Sequence, residues 1–157
     1  MKIPDCPVWK KSFSKGCSAL FIIAIIVTSS VKVHAQHADE ATIRKILDDQ
    51  TKSWNNGSIE DFMKGYWDSD SLMFVGRNGL RYGYNSTLEN YKKSYPDTAA
   101  RGKLYFNILE LRKLAKIYYY VTGKWQLHRS IGDLEGYFTL LFRKIKNRWV
   151  IVADHSR

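Results

Sequence analysis

Four long strand-like runs crowd the C-terminal half of the chain: Lys103 to Leu114, Ile117 to His128, Gly136 to Ile145 and Arg148 to Ser156. They are rich in β-branched and aromatic residues, and only short separators divide them. Short links force successive strands to lie side by side, so a meander of antiparallel neighbours is predicted. Upstream, Leu72 to Arg77 and Leu80 to Tyr84 flank Asn78-Gly79, a dipeptide that signals a tight hairpin.

The segment before these strands has helical period. Ile43, Ile46, Leu47 and Trp54 place one apolar stripe on a helix over 39–57, with Asp39 at its start and Asn55, Asn56 and Gly57 ending it. Ser58 followed by Asp61 resembles a capping box, opening a second helix that carries Ile59, Phe62, Met63 and Tyr66. Ser86 and Glu89 repeat that signal for a third helix with Leu88, Tyr91 and Tyr95 on one face, which Pro96 stops. Helices followed by an antiparallel sheet give an α+β domain of one sheet packed on one helical layer. The last strands are apolar on both faces, as in Tyr137 to Phe142 and Trp149 to Ala153. One helical layer covers one face only, so a homodimer through the outer sheet face is expected.

Residues 1–35 read as a secretory signal peptide. Lys2, Lys10, Lys11 and Lys15 form a positive start, Ala19 to Val27 is the apolar core, and the residues before Gln36 include the small Ala35. The apolar run falls short of the roughly 18 residues that a spanning helix needs, so no membrane span remains after cleavage. Residues 36–157 are then a single domain, exported to the periplasm or beyond the cell. Cys6 and Cys17 leave with the signal, and such a domain must be held together by its core rather than by disulfides. The formal charge is +10. The five lysines and one aspartate of residues 1–35 carry +4 of it, leaving +6 on the rest. Its basic residues are dispersed among acidic ones, so nucleic acid is not an expected partner; the one cluster, Arg143, Lys144, Lys146 and Arg148, falls at a hairpin tip where a solvated turn explains it.

The runs "WNNGSIEDF" (Trp54 to Phe62), "VTGKWQL" (Val121 to Leu127) and "FTLLFRKIKNRWVIVADHS" (Phe138 to Ser156) resemble the nuclear transport factor 2-like superfamily. The likeness is to its SnoaL-like and calmodulin-dependent kinase association-domain-like branches, and to exported domains of unknown function. It implies a cystatin-like cone: a strongly curved antiparallel sheet wrapped around N-terminal helices, enclosing a pocket and often dimerising through its outer face. The family includes isomerase-like and cyclase-like enzymes, binding proteins and assembly modules, so the fold does not by itself fix the function.

Asp154 and His155 are the catalytic candidates, and as strand neighbours they must face opposite sides of the sheet. By alternation, His155 shares a face with Trp149, Ile151 and Ala153, and Asp154 with Val150 and Val152. A carboxylate in an apolar cavity has a raised pKa and can act as a proton-transfer base. Trp54, Tyr66, Tyr82 and Trp125 are expected to supply cavity wall and donors. Gly123 leaves room for a bend or a ligand. Arg77 flanks the hairpin turn, where it can hold a carboxylate. His37, His128 and His155 lack metal-ligand spacing, so neither a metal nor a cofactor is expected. The leading expectation is an exported small-molecule-binding domain for a hydrophobic or aromatic molecule, with or without a carboxylate. The alternatives are a cofactor-independent isomerase, cyclase or hydratase using Asp154 or His155, and an assembly module without a ligand.

Overall fold

The computed structural model describes residues 37–157, so the signal-like segment 1–35, with both cysteines, lies outside the described residues. Helix α1 covers residues 37–55, and Ile43, Leu47, Gln50 and Trp54 form its buried stripe. The spacing of four, three and four keeps these side chains on one face. Asp39 lies inside the helix rather than capping it. Its carboxylate accepts hydrogen bonds from Trp149 Nε1 at 2.8 Å and Lys144 Nζ at 2.9 Å, fastening α1 to the sheet. At the other end, the Asn55 side-chain amide bonds both the N–H and the C=O of Leu104.

Helix α2 spans Ile59–Met63, and the Ser58 hydroxyl caps it by accepting the Asp61 N–H. Strands β1 (Met73–Gly76) and β2 (Gly79–Tyr82) form the hairpin, followed by α3 (Tyr84–Ser94) and a short helix α4 (Thr98–Arg101) that the sequence reading missed. Asp97 caps α4 by accepting the Ala100 N–H. Helix α3 begins two residues before Ser86, with Gly83 at a φ of 95° as its N-cap. Ser86 is therefore no cap; its hydroxyl accepts from Arg81 instead. The hairpin turn is also displaced by one residue. Gly76 pairs with Gly79, so the two turn residues are Arg77 and Asn78, not Asn78 and Gly79. The turn with two left-handed residues lies elsewhere, at Lys146 (φ 46°) and Asn147 (φ 64°) between the last strands.

Strands β3 (Lys103–Ala115), β4 (Tyr118–His128), β5 (Leu134–Ile145) and β6 (Arg148–Ser156) form the expected antiparallel meander. The sheet has six strands in the order β2-β1-β6-β5-β4-β3, with β1 parallel to β6. It is curved and does not close, giving a mixed α+β fold with a cystatin-like form. Its inner face supplies Tyr119, Val121, Leu127, Phe138, Leu140, Phe142, Trp149 and Ile151 to the core beneath the helices. Burying each large apolar side chain contributes roughly 1.5–3 kcal/mol. No helix among the described residues is long and apolar enough to cross a membrane.

One irregularity decides what the cavity contains. Between Leu141 and Phe142 strand β5 advances one residue, while β6 advances two, from Ala153 to Ile151. Val152 is the extra residue of a β-bulge, which resets the alternation of everything after it. Trp149 and Ile151 face the core, and beyond the bulge Asp154 and Ser156 take that face. The face shared by His155 with Trp149 and Ile151, expected from simple alternation, does not survive the bulge.

Candidate active site

The site is a cavity of about 330 Å³ between the helices and the inner face of the sheet. Its deep wall is made of buried Trp54, Phe62, Tyr66, Leu104, Leu127, Phe138 and Leu140, and its outer lining of exposed Arg77, Asn78 and Ser94. That gradient marks a mouth at the β1–β2 turn and the end of α3, and a floor on β5 and β6.

Aromatic rings build the helical side. Tyr91 of α3 lies edge-on to Trp54, Phe62 and Phe74, with ring centroids 6.0, 5.3 and 5.7 Å away, and Tyr95 closes on Trp54 at 4.8 Å. Edge-to-face pairs each add about 0.5–1.5 kcal/mol beyond the area they bury. They also fix the ring planes, so the wall is rigid where the cavity needs shape.

Asp154 sits on the floor, 3 % exposed. Its strand partners are Phe74 on β1 and Leu140 on β5, so apolar neighbours flank it on both sides. Oδ2 accepts the Tyr66 hydroxyl at 2.7 Å, and Oδ1 accepts the Ser156 hydroxyl at 2.6 Å. Tyr66 is delivered there by backbone pairing: Ile151 bonds Gly65 O and Trp67 N, which runs the chain after α2 alongside β6. Burial pushes the Asp154 carboxyl up to about 6, against the hydrogen bonds from Ser156 and Tyr66 and the attraction of His155, which lower it. Burial likewise raises the Tyr66 and Tyr91 hydroxyls well above their ordinary value, and the Asp154 charge adds to both shifts. The two tyrosines therefore serve as donors, and the carboxyl is the group that titrates near neutrality.

Among the described residues the Trp125 indole N–H is buried without a hydrogen-bond partner, and Trp125 lines the cavity. An unsatisfied buried donor costs roughly 1–3 kcal/mol, so it is an outlier that an acceptor in the cavity would relieve.

Comparison with known proteins now bears on this geometry. No protein-family model matches the chain, and no curated protein does. A solved NTF-2-like protein of unknown function from Shewanella oneidensis MR-1 is 40% identical, superposes with a TM-score of 0.72, and is matched over 75% of this chain and 98% of its own. This chain belongs to the NTF2-like superfamily. Two more distant structures share the fold. A cystatin-like domain of unknown function from Nostoc punctiforme PCC 73102 is 16% identical, with a TM-score of 0.64 over 76% of each chain. A ketosteroid isomerase-like protein from Erwinia carotovora atroseptica is 14% identical, with a TM-score of 0.57 over 74% of this chain and 92% of that one.

Within this NTF2-like chain the residues singled out from sequence separate into two groups. Trp54, Tyr66, Arg77, Trp125 and Asp154 all line the one cavity. His155 and Tyr82 do not. His155 is exposed on the opposite sheet face, because the bulge gives the inner face to Asp154. Tyr82 is 57% exposed, because Arg81, paired with Phe74 across the hairpin, takes the cavity side of β2 and alternation turns Tyr82 away. Gly123 faces inward, but the space over it belongs to the Phe138 ring, which an added Cβ would strike. The glycine serves packing, not a ligand.

Several lining residues escaped the sequence reading. Gln50 interrupts the apolar stripe of α1, and its Nε2 donates to Phe62 O; a polar residue in register with Ile43, Leu47 and Trp54 was the available signal. Tyr91 and Tyr95 were placed on one helical face but not at the cavity. Ser156 shares a face with Asp154 by local alternation. Arg129, in the β4–β5 loop, carried no signal.

Proposed function

We propose that this NTF2-like domain binds a small, mainly apolar molecule in the cavity, with Asp154, Tyr66 and Trp125 as its polar contacts. The observation that carries this reading is Asp154: a buried carboxyl in an aromatic cavity with no cation bonded to it among the described residues. Such a group is costly to keep unless it meets a partner. Below about pH 6 it presents a neutral O–H donor to a ligand carbonyl; above, it accepts from a ligand hydroxyl or amide. The unpartnered Trp125 N–H supplies a second point of recognition. Signal-directed export and pairing through the outer sheet face belong to the same proposal.

Native mass spectrometry of protein purified gently from its own compartment tests binding and assembly together. A dimer carrying a discrete extra mass that denaturation releases is expected. Protein free of any such mass, and unable to take up 2-tetralone or naphthalene in calorimetry, would sink the binding reading.

A second reading, a cofactor-independent proton-transfer enzyme, is favoured by the same carboxyl's raised pKa. A base with a pKa near the working pH abstracts protons most effectively. Here Asp154 would take a proton from the carbon beside a ligand carbonyl, and the Trp125 N–H would stabilise the resulting enolate oxygen before the proton returns. Deuterium exchange into 2-tetralone in D₂O reads this directly. Catalysed exchange that rises through about pH 6 and disappears in Asp154→Asn is expected; exchange no faster than in buffer would overturn it.

A further inference from the structure

The cavity's mouth differs chemically from its interior. Arg77 in the β1–β2 turn, Arg81 on β2 and Arg129 in the β4–β5 loop all line it, as does Arg157 after β6, while the only acidic side chain in the lining is Asp154, on the floor. Two regions distant in sequence, the β1–β2 hairpin and the β4–β5 loop, thus bring guanidinium groups to one opening. Burial raises the Tyr95 hydroxyl pKa, and the Arg129 and Arg77 charges oppose that rise, so both cations are near enough to Tyr95 to act on it electrostatically.

None of Arg77, Arg81 and Arg129 is neutralised by an ion pair among the described residues. Arg81 donates to Ser86 Oγ at 3.3 Å and to Asn90 Oδ1 at 3.2 Å, both uncharged. Arg129 donates Nε to Gly132 O at 2.7 Å and Nη1 to Ala100 O at 3.4 Å, again uncharged. The acids nearest Arg81 and Arg129 in sequence form no ion pair with them among the described residues: Glu89 lies 3.5 Å from Lys92, and Asp133 accepts the Arg129 backbone N–H. Uncharged partners hold the guanidinium groups of Arg81 and Arg129 in place without cancelling their charge. That arrangement is pre-ordered for an anion, since little side-chain freedom remains to be lost on binding.

We infer that the molecule this cavity takes is an amphipathic carboxylate, its acid head held at the mouth by Arg77, Arg81 and Arg129 and its aromatic or aliphatic body filling the interior. The inference rests on the cavity being a binding site and adds the class of ligand. A carboxylate matches the planar fork of a guanidinium, and a two-point contact adds geometric specificity to the charge. Directionality follows: the head stays outside, so the opposite end of the ligand is the part that reaches Asp154.

The test is calorimetry on the purified protein with 3-phenylpropanoate, 4-phenylbutyrate and 5-phenylpentanoate, each beside its neutral primary amide. At least one acid is expected to bind about tenfold or more tightly than its amide, as a charge-assisted bidentate contact implies. Raising salt should narrow that ratio. Arg77→Gln should remove most of it by weakening the acid far more than its amide. Arg77 is exposed and makes no side-chain hydrogen bond among the described residues, so the fold does not depend on it. Arg129→Gln, checked by its melting curve, gives an independent second variant. If acid and amide bind alike, or if the preference survives both substitutions, the carboxylate inference is overturned and the cavity reading stands. If neither acids nor amides bind, both fall together.

Discussion

The two ends of β6 each hold an aspartate against an aromatic residue, and they treat it in opposite ways. At the start of the strand, the Trp149 indole and the Lys144 ammonium both donate to Asp39; burial alone would raise that carboxyl, but the two hydrogen bonds and the lysine charge hold it below its ordinary value. At the end, Asp154 has among the described residues only hydroxyl donors and no bonded cation, and burial prevails, lifting it to about 6. Ionised Asp39 is a fastener: it ties α1 to the sheet and has no remaining task. Asp154 is left with unused lone pairs in a cavity and a charge that changes near neutrality. The difference follows from depth and partners together: Asp39 is only partly buried and bonded to a lysine, whereas Asp154 is deeply buried and bonded to hydroxyls.

The largest effect expected lies in the tightly packed region that both ends share. Phe142, wholly buried between them, should cost about 3–5 kcal/mol when replaced by Ala, read as a lower denaturation midpoint. A loss under 1 kcal/mol would mean that the core tolerates the void and that the cavity end is not the only loosely filled part.

Asp154→Asn comes next, with an unusual sign. The folded carboxyl titrates near 6 and the unfolded one near 3.8, so stability is lost as pH rises between those two values and the full penalty persists above 6. Two units at about 1.4 kcal/mol each put the effect at roughly 3 kcal/mol. The variant should therefore melt higher than wild type at pH 8, with the gap closing below pH 4. A variant less stable at pH 8 would show that the Tyr66 and Ser156 bonds outweigh the buried charge.

Asp39→Asn should behave in the opposite sense. Its depressed folded pKa means that ionisation supports the fold above the unfolded value and that this support is lost as pH falls through the folded one. A loss of about 1–2 kcal/mol at pH 7 that fades in acid is expected from thermal melts across pH. If Asp39→Asn and Asp154→Asn shift stability in the same direction at pH 7, the contrast between the two ends is broken. Smallest of all, Tyr66→Phe removes a donor to the Asp154 carboxylate and should raise the titration midpoint of its ¹³C carboxyl resonance. An unmoved midpoint would assign that carboxyl's ionisation to other contacts.

The meander, the short capped α2 and the inner face of β4 were legible because periodicity and capping chemistry act locally. The family likeness carried the curvature. Sequence failed where a single residue changes phase: nothing in "RWVIVADHS" announces that Val152 is extra, because a bulge is decided by the partner strand. The Asn78-Gly79 turn was misplaced for a related reason, since the left-handed glycine opens β2 instead of sitting within the turn. Arg129 was out of reach because only tertiary folding brings its loop to the mouth formed by β1, β2 and α3.

The bulge at Val152 makes the last strand behave like a message with a frameshift. Identity and order of its residues are untouched, yet one letter more or less exchanges a carboxylate for an imidazole at the cavity floor. Within such a strand, the acid–base character of the interior is set by counting, and a one-residue insertion or deletion is a larger chemical event than most substitutions.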